Sequence, residues 1–151
     1  MSVSMADLEW NEAYGIGVPE LDADLRRLHD LYCAIRASLE GGGAIGGVSA
    51  DLRAVCAELI DTARGHFARE ERLMEAYDYP DRAAHAKLHQ SFLEQVEDVW
   101  TFVRDDGARD DYMARFLVLG FIGKWLKMHI MVVDQKFGEF LVLRGHNGGR
   151  A

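Results

Sequence analysis

The stretch that decides the fold reads Tyr79-Pro80-Asp81-Arg82-Ala83-Ala84-His85-Ala86-Lys87-Leu88-His89-Gln90-Ser91-Phe92, and it continues through Val96, Val99 and Val103. Proline fits the first turn of a helix but breaks its interior, so Pro80 marks a beginning. Wound at ~100° per residue, Phe92, Val96, Val99 and Val103 form one apolar stripe that must face a core. Carried upstream, the same stripe lands on His85 and His89, four residues apart and one above the other. A helix from just after Pro80 to about Arg104 therefore aims two imidazoles at the protein interior.

The pattern repeats on either side. A helix from about Ala50 to Tyr77, with Ser49 as its cap, has its core stripe at Leu59, Ala63, Leu73 and Tyr77. His66 and Glu70 fall at the centre of that stripe. A helix from about Asp110 to Val133 places Val118, Ile122 and Trp125 inward and ends its stripe on His129. The first helix, from about Glu20 to Glu40, carries the apolar run Leu21-Leu25-Leu28-Tyr32-Ile35-Leu39, with His29 at its edge. A shorter helical piece covers Gln135 to Leu143. No strand-like alternation of useful length occurs. The glycine-rich residues 41–47 read as a loop, and they lack the lysine and the strand–helix setting of a phosphate-binding loop.

Long helices joined by short connections pack as antiparallel neighbours. The expected fold is all-α: an up-down-up-down antiparallel four-helix bundle with an N-terminal arm, holding Trp10 and Tyr14, and a short C-terminal helix. One domain is expected over residues 1–151, with its core at about 10–143 and a frayed tail from Arg144.

Composition bounds the function. A chain of 151 residues that is 49% hydrophobic and 28% charged has the make-up of a soluble globular domain. Its net charge of −8 argues against nucleic acid as a partner, because phosphates call for a basic surface. Phe116 to Gly123, the longest uncharged apolar run, is too short to cross a bilayer. Met1 to Trp10 has neither the basic start nor the apolar run of a signal peptide. Cys33 and Cys56, with no CxxC pair, read as reduced buried thiols, and the expected location is cytoplasmic.

Three helices thus aim four histidines and a glutamate into one core. A buried ionised carboxylate costs several kcal/mol unless a cation or a strong hydrogen-bond partner meets it. No lysine or arginine lies on these stripes at that level, so a metal supplies the missing positive charge. One histidine on an apolar face is usually a packed core residue, and one HxxxH or HxxxE pair arises readily by chance. Two pairs plus His129, converging from three helices, are hard to explain as packing. Imidazole and carboxylate without thiolate suit iron, manganese or zinc, and a bundle core of this make-up is the usual setting of a di-iron site. Asp134 lies five residues after His129, ~140° away on a regular helix. By spacing alone it joins the site only if the helix loosens or turns there.

These residues resemble the hemerythrin family, and specifically its bacterial single-domain members. His66-Phe67-Ala68-Arg69-Glu70-Glu71 is similar to the family's HFxxEE element. Tyr79-Pro80 with His85-Ala86-Lys87-Leu88-His89 is similar to its YP…HxxxH element, and Trp125-Leu126-Lys127-Met128-His129-Ile130 with Asp134 to its WxxxHIxxxD element. The match extends from Glu9-Trp10 to Asp134-Gln135-Lys136-Phe137-Gly138. The resemblance implies two non-haem iron ions with a bridging oxygen species. Glu70 and Asp134 would be shared between them, His85, His89 and His129 would complete one iron, and His66 would serve the other. It also implies an apolar ligand pocket lined by Leu28, Phe67, Trp125 and Ile130.

The resemblance breaks in the first helix. The family pattern there is an aspartate, two residues and a histidine, and this chain reads Asp22-Ala23-Asp24-Leu25. Leu25 stands in the pocket where a histidine ligand is expected. His29, one turn on and ~40° to the side, is the candidate surrogate or outer-shell residue, although one turn is a rise of 5.4 Å. The expected function is a di-iron protein that binds dioxygen or a related small molecule as carrier, store or sensor, with one iron weakly held. A di-iron peroxidase- or oxidase-like enzyme and a single-metal regulatory module stand as the alternatives.

Overall fold

A computed structural model describes residues 14–40, 50–105 and 120–145 of the chain. Three long helices, α1 (Pro19–Glu40), α2 (Ala50–Ala76) and α3 (Arg82–Asp105), are followed by a fourth helical run. That run is described from residue 120 and comprises a π-helical lead-in at 120–122, α4 (Gly123–Met128), a π turn (His129–Val133) and α5 (Asp134–Leu143). Among the described residues every regular element is helical, and the fold is a four-helix bundle. The glycine-rich residues 41–47, the cap at Ser49, Trp10 and the expected start of the fourth helix lie outside the described residues, as do the side chains of Leu39 and Val103.

Each start and stop has a local cause. Pro19 occupies the first position of α1, where its fixed φ suits a helix and its missing N–H is not needed. Just upstream, the Asp22 carboxylate accepts from the amides of Ile16 (2.6 Å) and Gly17 (3.2 Å), and folds the incoming chain over the helix end. Gly17 sits at φ +87°, a conformation glycine adopts without steric cost. At the end of α2, Tyr79 N–H donates to Met74 O (2.9 Å) and Asp78 N–H to Glu75 O (3.2 Å). With Asp78 left-handed at φ +53°, this is a Schellman turn that carries Tyr79-Pro80 into α3.

The apolar stripes meet as the winding predicts. Leu21, Leu25, Leu28, Tyr32 and Ile35 of α1 pack against Leu59, Ala63 and Phe67 of α2, Phe92 and Val96 of α3, and Ile122, Leu126 and Ile130 of the fourth run. Each leucine, isoleucine, valine or phenylalanine among them, fully buried, contributes about 1.5–3 kcal/mol relative to exposure. In α2 the stripe drifts, so that Met74 is buried outright while Leu73 and Tyr77 are half-buried. A smaller cluster of Met74, Tyr79, Phe137 and Leu141 closes the end of the bundle where α2 turns into α3. The chain before α1 is tied to α5, since the Gln135 side-chain amide donates to Tyr14 O at 2.9 Å. No helix among the described residues is long and apolar enough to cross a membrane.

The short C-terminal helix is a direct continuation of the fourth helix. Met128, His129, Val133 and Asp134 all keep right-handed helical φ and ψ, so the chain never leaves the helix between them. The π turn inserts one extra residue at His129–Val133, and this bears on the site.

Candidate metal centre

Between the two apolar clusters lies a polar layer with almost no access to solvent. His66 and Glu70 (α2), His85 and His89 (α3), His129 and Asp134 (fourth run) are each 3% exposed or less. Glu70, His85, His89, His129 and Asp134 bring one donor atom apiece to within 4.8 Å of one another, an arrangement able to hold a metal ion. His66 adjoins this group, with Nε2 3.1 Å from Glu70 Oε2 and 3.8 Å from Asp134 Oδ2.

The donor atoms face a common point rather than one another. His129 Nε2 is 3.0 Å from His89 Nε2 and 3.2 Å from His85 Nε2. Two ligands at right angles on one ion, each bond about 2.1 Å as for zinc, stand about 3.0 Å apart. Glu70 Oε1 is 3.2 Å from His85 Nε2, and Asp134 Oδ1 is 2.9 Å from His129 Nε2. Despite these short separations, both oxygens of Glu70, both of Asp134 and Nε2 of His66 make no hydrogen bond. Buried polar atoms are rarely left unpaired, and cationic charge held among these carboxylates and His66 would satisfy them. It would not satisfy Nδ1 of His85 and of His89, which also lack hydrogen bonds. The residues present fit a bound metal.

Asp134 reaches this layer because of the π turn. Its backbone N–H donates to His129 O, five residues back, instead of to the residue four back. The wider turn absorbs the extra residue and brings His129 and Asp134 onto one face. Spacing on a regular helix left Asp134 open, and the backbone resolves its placement.

Electrostatics follow from this crowding. Burial opposes charging His85, but the carboxylates of Asp134 and Glu70 outweigh it and push its pKa up to about 9. His66 is also held well above the usual imidazole range, against burial, by Asp134, Asp24 and Glu70. His89 goes the other way, pushed down to about 2 by burial and by the neighbouring His129 and His85. Asp134 stays well below the usual carboxylate range because His129, His66 and His85 offset its burial.

Apolar and aromatic groups wall the layer. The Phe67 ring stacks on His89 at 3.9 Å between centroids and 8° between planes, and Trp125 stacks on His129 at 4.3 Å and 12°. Leu25, Leu28, Phe67 and Ile130 are buried in the adjoining core, with Trp125 packed against them. On the outer side of α2 and α3, a cleft of about 450 Å³ has Phe67 and His89 in its wall and the ion-paired Arg64 and Glu97 at its rim.

His29 is buried at 5% exposure. Both its ring nitrogens lie 3.9 Å from Cys33 Sγ, and Nδ1 lies 3.8 Å from Asp30 Oδ1, so these contacts are within its own helix. It is not one of the five clustered donors. Cys33 and Cys56 are both free thiols.

Sequence reasoning passed over Asp24 and Arg69. Arg69 Nε and Nη2 donate to the two oxygens of Asp24 at 2.9 and 2.6 Å, and Asp24 Oδ2 lies 3.4 Å from His66 Nδ1. The available signal was position: Asp24 precedes Leu25 on the inward turn of α1, and Arg69 lies within the HFxxEE-like element.

The fold and the site together define a helical-bundle protein built to bind a cation in its core through histidines and carboxylates. The chain belongs to the hemerythrin HHE cation-binding family, whose sequence profile it matches over residues 17–141. It is 28% identical over 138 residues to a bacteriohemerythrin of Stenotrophomonas maltophilia, covering 89% of this chain and 82% of the relative. Similar proteins include bacteriohemerythrins of Ralstonia nicotianae (26% identical, 93% of each chain) and of Clostridium acetobutylicum (23% identical, 85% of this chain and 96% of the relative).

Proposed function

We propose that this chain holds two non-haem irons in its core and binds dioxygen or a related small ligand there, as a carrier, store or sensor in the cytoplasm. His85, His89 and His129 would hold one iron, His66 the other, and Glu70 and Asp134 would be shared. The observation that carries this reading is that His66 Nε2 and all four carboxylate oxygens converge, with Nε2 3.1 Å from Glu70 Oε2 and 3.8 Å from Asp134 Oδ2, yet make no hydrogen bond. A single ion at the three-histidine end would leave His66 Nε2 still unsatisfied. Bound iron supplies the electrons and the open coordination position that a ligand of the dioxygen class requires.

The protein's own residues do the rest. Phe67 and Trp125 press flat on His89 and His129 and hold their rings in place. Leu25, Leu28 and Ile130 keep the adjoining space apolar, which suits a small uncharged ligand and excludes ions. Leu25 offers no donor atom, so the His66 side of the site is short of nitrogen ligands. We leave His29 out of the ligand set because it is not among the five clustered donors and does not adjoin them as His66 does.

One observation favours a second reading. The five-donor cluster is complete without His66, which would suit a single metal and a regulatory role. Elemental analysis after anaerobic iron loading, with absorption spectra before and after air, separates the two. Two irons per chain and a new air-induced charge-transfer band support the proposal. One metal per chain, with no spectral response to air, overturns it in favour of the single-metal module.

A further inference from the structure

We propose that Asp24, clamped by Arg69, is the positioning residue for His66, fixing its Nδ1 as the proton-bearing nitrogen and leaving Nε2 free to face the shared carboxylates. This rests on the reading above, in which His66 is the sole imidazole on its side of the site.

The geometry is a chain of contacts from solvent to the polar layer. Arg69 is 38% exposed, Asp24 is 16% exposed and His66 is 1% exposed. The guanidinium grips both oxygens of Asp24, an arrangement that fixes the carboxylate plane as well as its position. From there Asp24 Oδ2 meets His66 Nδ1 at 3.4 Å, while His66 Nε2 has no hydrogen bond and lies 3.1 Å from Glu70 Oε2. The hydrogen bond at one ring nitrogen decides which tautomer an imidazole adopts and so which nitrogen can ligate.

A local feature supports the clamp. Gly65, in the interior of α2, lies under the Arg69 side chain: a Cβ there would meet Arg69 Nη2 at 3.3 Å and Nη1 at 3.4 Å. Glycine inside a helix costs roughly 0.5–1 kcal/mol relative to alanine. Here it opens the lane along which the guanidinium crosses to α1. Because Asp24 comes from α1 and His66 from α2, the contact also ties the ligand-bearing face of one helix to its neighbour.

The test uses full-length protein loaded with zinc, which is diamagnetic, and separately titrated with iron under nitrogen. The variants are Asp24→Ala, Asp24→Asn and Arg69→Gln. In the unmodified protein His66 is expected to show a slowly exchanging, downfield Nδ1–H resonance in ¹⁵N-histidine spectra, lost in Asp24→Ala. The second iron is expected to bind about 10–100-fold more weakly in Asp24→Ala, the usual cost of losing a ligand's outer partner, with the first unchanged. Asp24→Asn keeps an acceptor oxygen and should lose less, and Arg69→Gln should fall between the two.

A retained Nδ1–H resonance and unchanged second-iron affinity in Asp24→Ala would overturn the inference while leaving the two-iron reading intact. Equal weakening of both irons with a lowered Tm would also overturn it, in favour of a purely structural ion pair. If the unmodified protein takes up one metal only, the two-iron reading fails, and the Nδ1–H resonance alone decides the role of Asp24.

Discussion

The backbone amide of Asp134 donates to the carbonyl of His129, five residues before it. On a regular helix these two side chains would stand ~140° apart. The wider turn lets one helix deliver an imidazole nitrogen and a carboxylate oxygen 2.9 Å apart. Single π turns inside α-helices are rare and gather at functional sites, and this one is the device that completes the polar layer.

Removing one exposed residue from that turn tests this account. Val132 is 57% exposed and makes no part of the core. Its deletion should let the backbone close to an ordinary α turn, with His129 and Asp134 then four apart and still on one face. Metal content per chain is expected to be kept, and the Tm of the metal-free protein to rise, since a regular α turn replaces the rarer wide one. Loss of metal after deletion would show that the wide turn is itself needed for the geometry. Asp134→Ala, by contrast, removes one of the five clustered donors and should lower the metal content per chain measured by elemental analysis.

The histidine shifts set a pH profile for the metal-free chain. His85 is raised to about 9, so its contribution is fully present below its unfolded value of 6.5 and is lost as pH rises through about 9. His66, also raised, acts in the same direction. His89 is lowered to about 2, so between 6.5 and 2 the unfolded chain holds a proton that the folded chain refuses, and stability falls with pH there. Urea midpoints of the metal-free protein should therefore peak near neutrality and drop by pH 9.5 and by pH 4. Metal uptake must displace the protons on His66 and His85, so calorimetry in buffers of different ionisation enthalpy should record proton release at pH 7. A midpoint that climbs steadily from pH 6.5 to 9.5 would contradict these assignments.

How much of this was legible in the sequence depended on periodicity. The apolar stripes of α1 and α3, Pro19 and Pro80 placed three helices to within a residue or two, because burial and proline geometry act locally. The winding also placed His66, Glu70, His85, His89 and His129 on one buried level. Asp134 was not legible from spacing, since a π turn is a departure from the periodicity on which such a reading depends. Asp24 and Arg69 were hidden for another reason. They are polar residues on helix flanks, and only the approach of α1 to α2 reveals that they meet each other and His66. The break expected before Gln135 is absent because Val133 and Asp134 keep helical backbone angles.

Close helix packing makes Gly123 a sensitive position. A Cβ at Gly123 would fall inside contact distance of the Tyr32 ring, at 2.6 Å from Cζ, and Tyr32 is itself 2% exposed. Overpacking of this kind typically costs about 1–3 kcal/mol. Gly123→Ala should lower the urea midpoint accordingly. Pairing it with Tyr32→Leu should give a double-mutant coupling that recovers part of the loss. Additive effects would mean that the fourth helix shifts away from α1 instead of straining against it.

Leu25 allows the most direct test of how the site is built. It is 1% exposed and lies in the apolar core with Leu28 and Phe67, at the position where the resemblance to the family implies a histidine. Leu25→His buries an imidazole without a partner when no metal is present, at about 1–3 kcal/mol. The metal-free variant should therefore melt below the unmodified protein. With iron the sign should reverse, because a ligand that binds only the folded state adds stability in proportion to its affinity. The second iron should bind more than tenfold tighter, given that losing even an outer partner of a ligand costs about 10–100-fold. A crossing of the two melting curves, lower without iron and higher with it, would identify position 25 as the missing ligand position. A variant that melts lower in both states, with unchanged iron stoichiometry, would show that residue 25 faces the core only, and His29→Ala would then be the substitution to examine for metal loss.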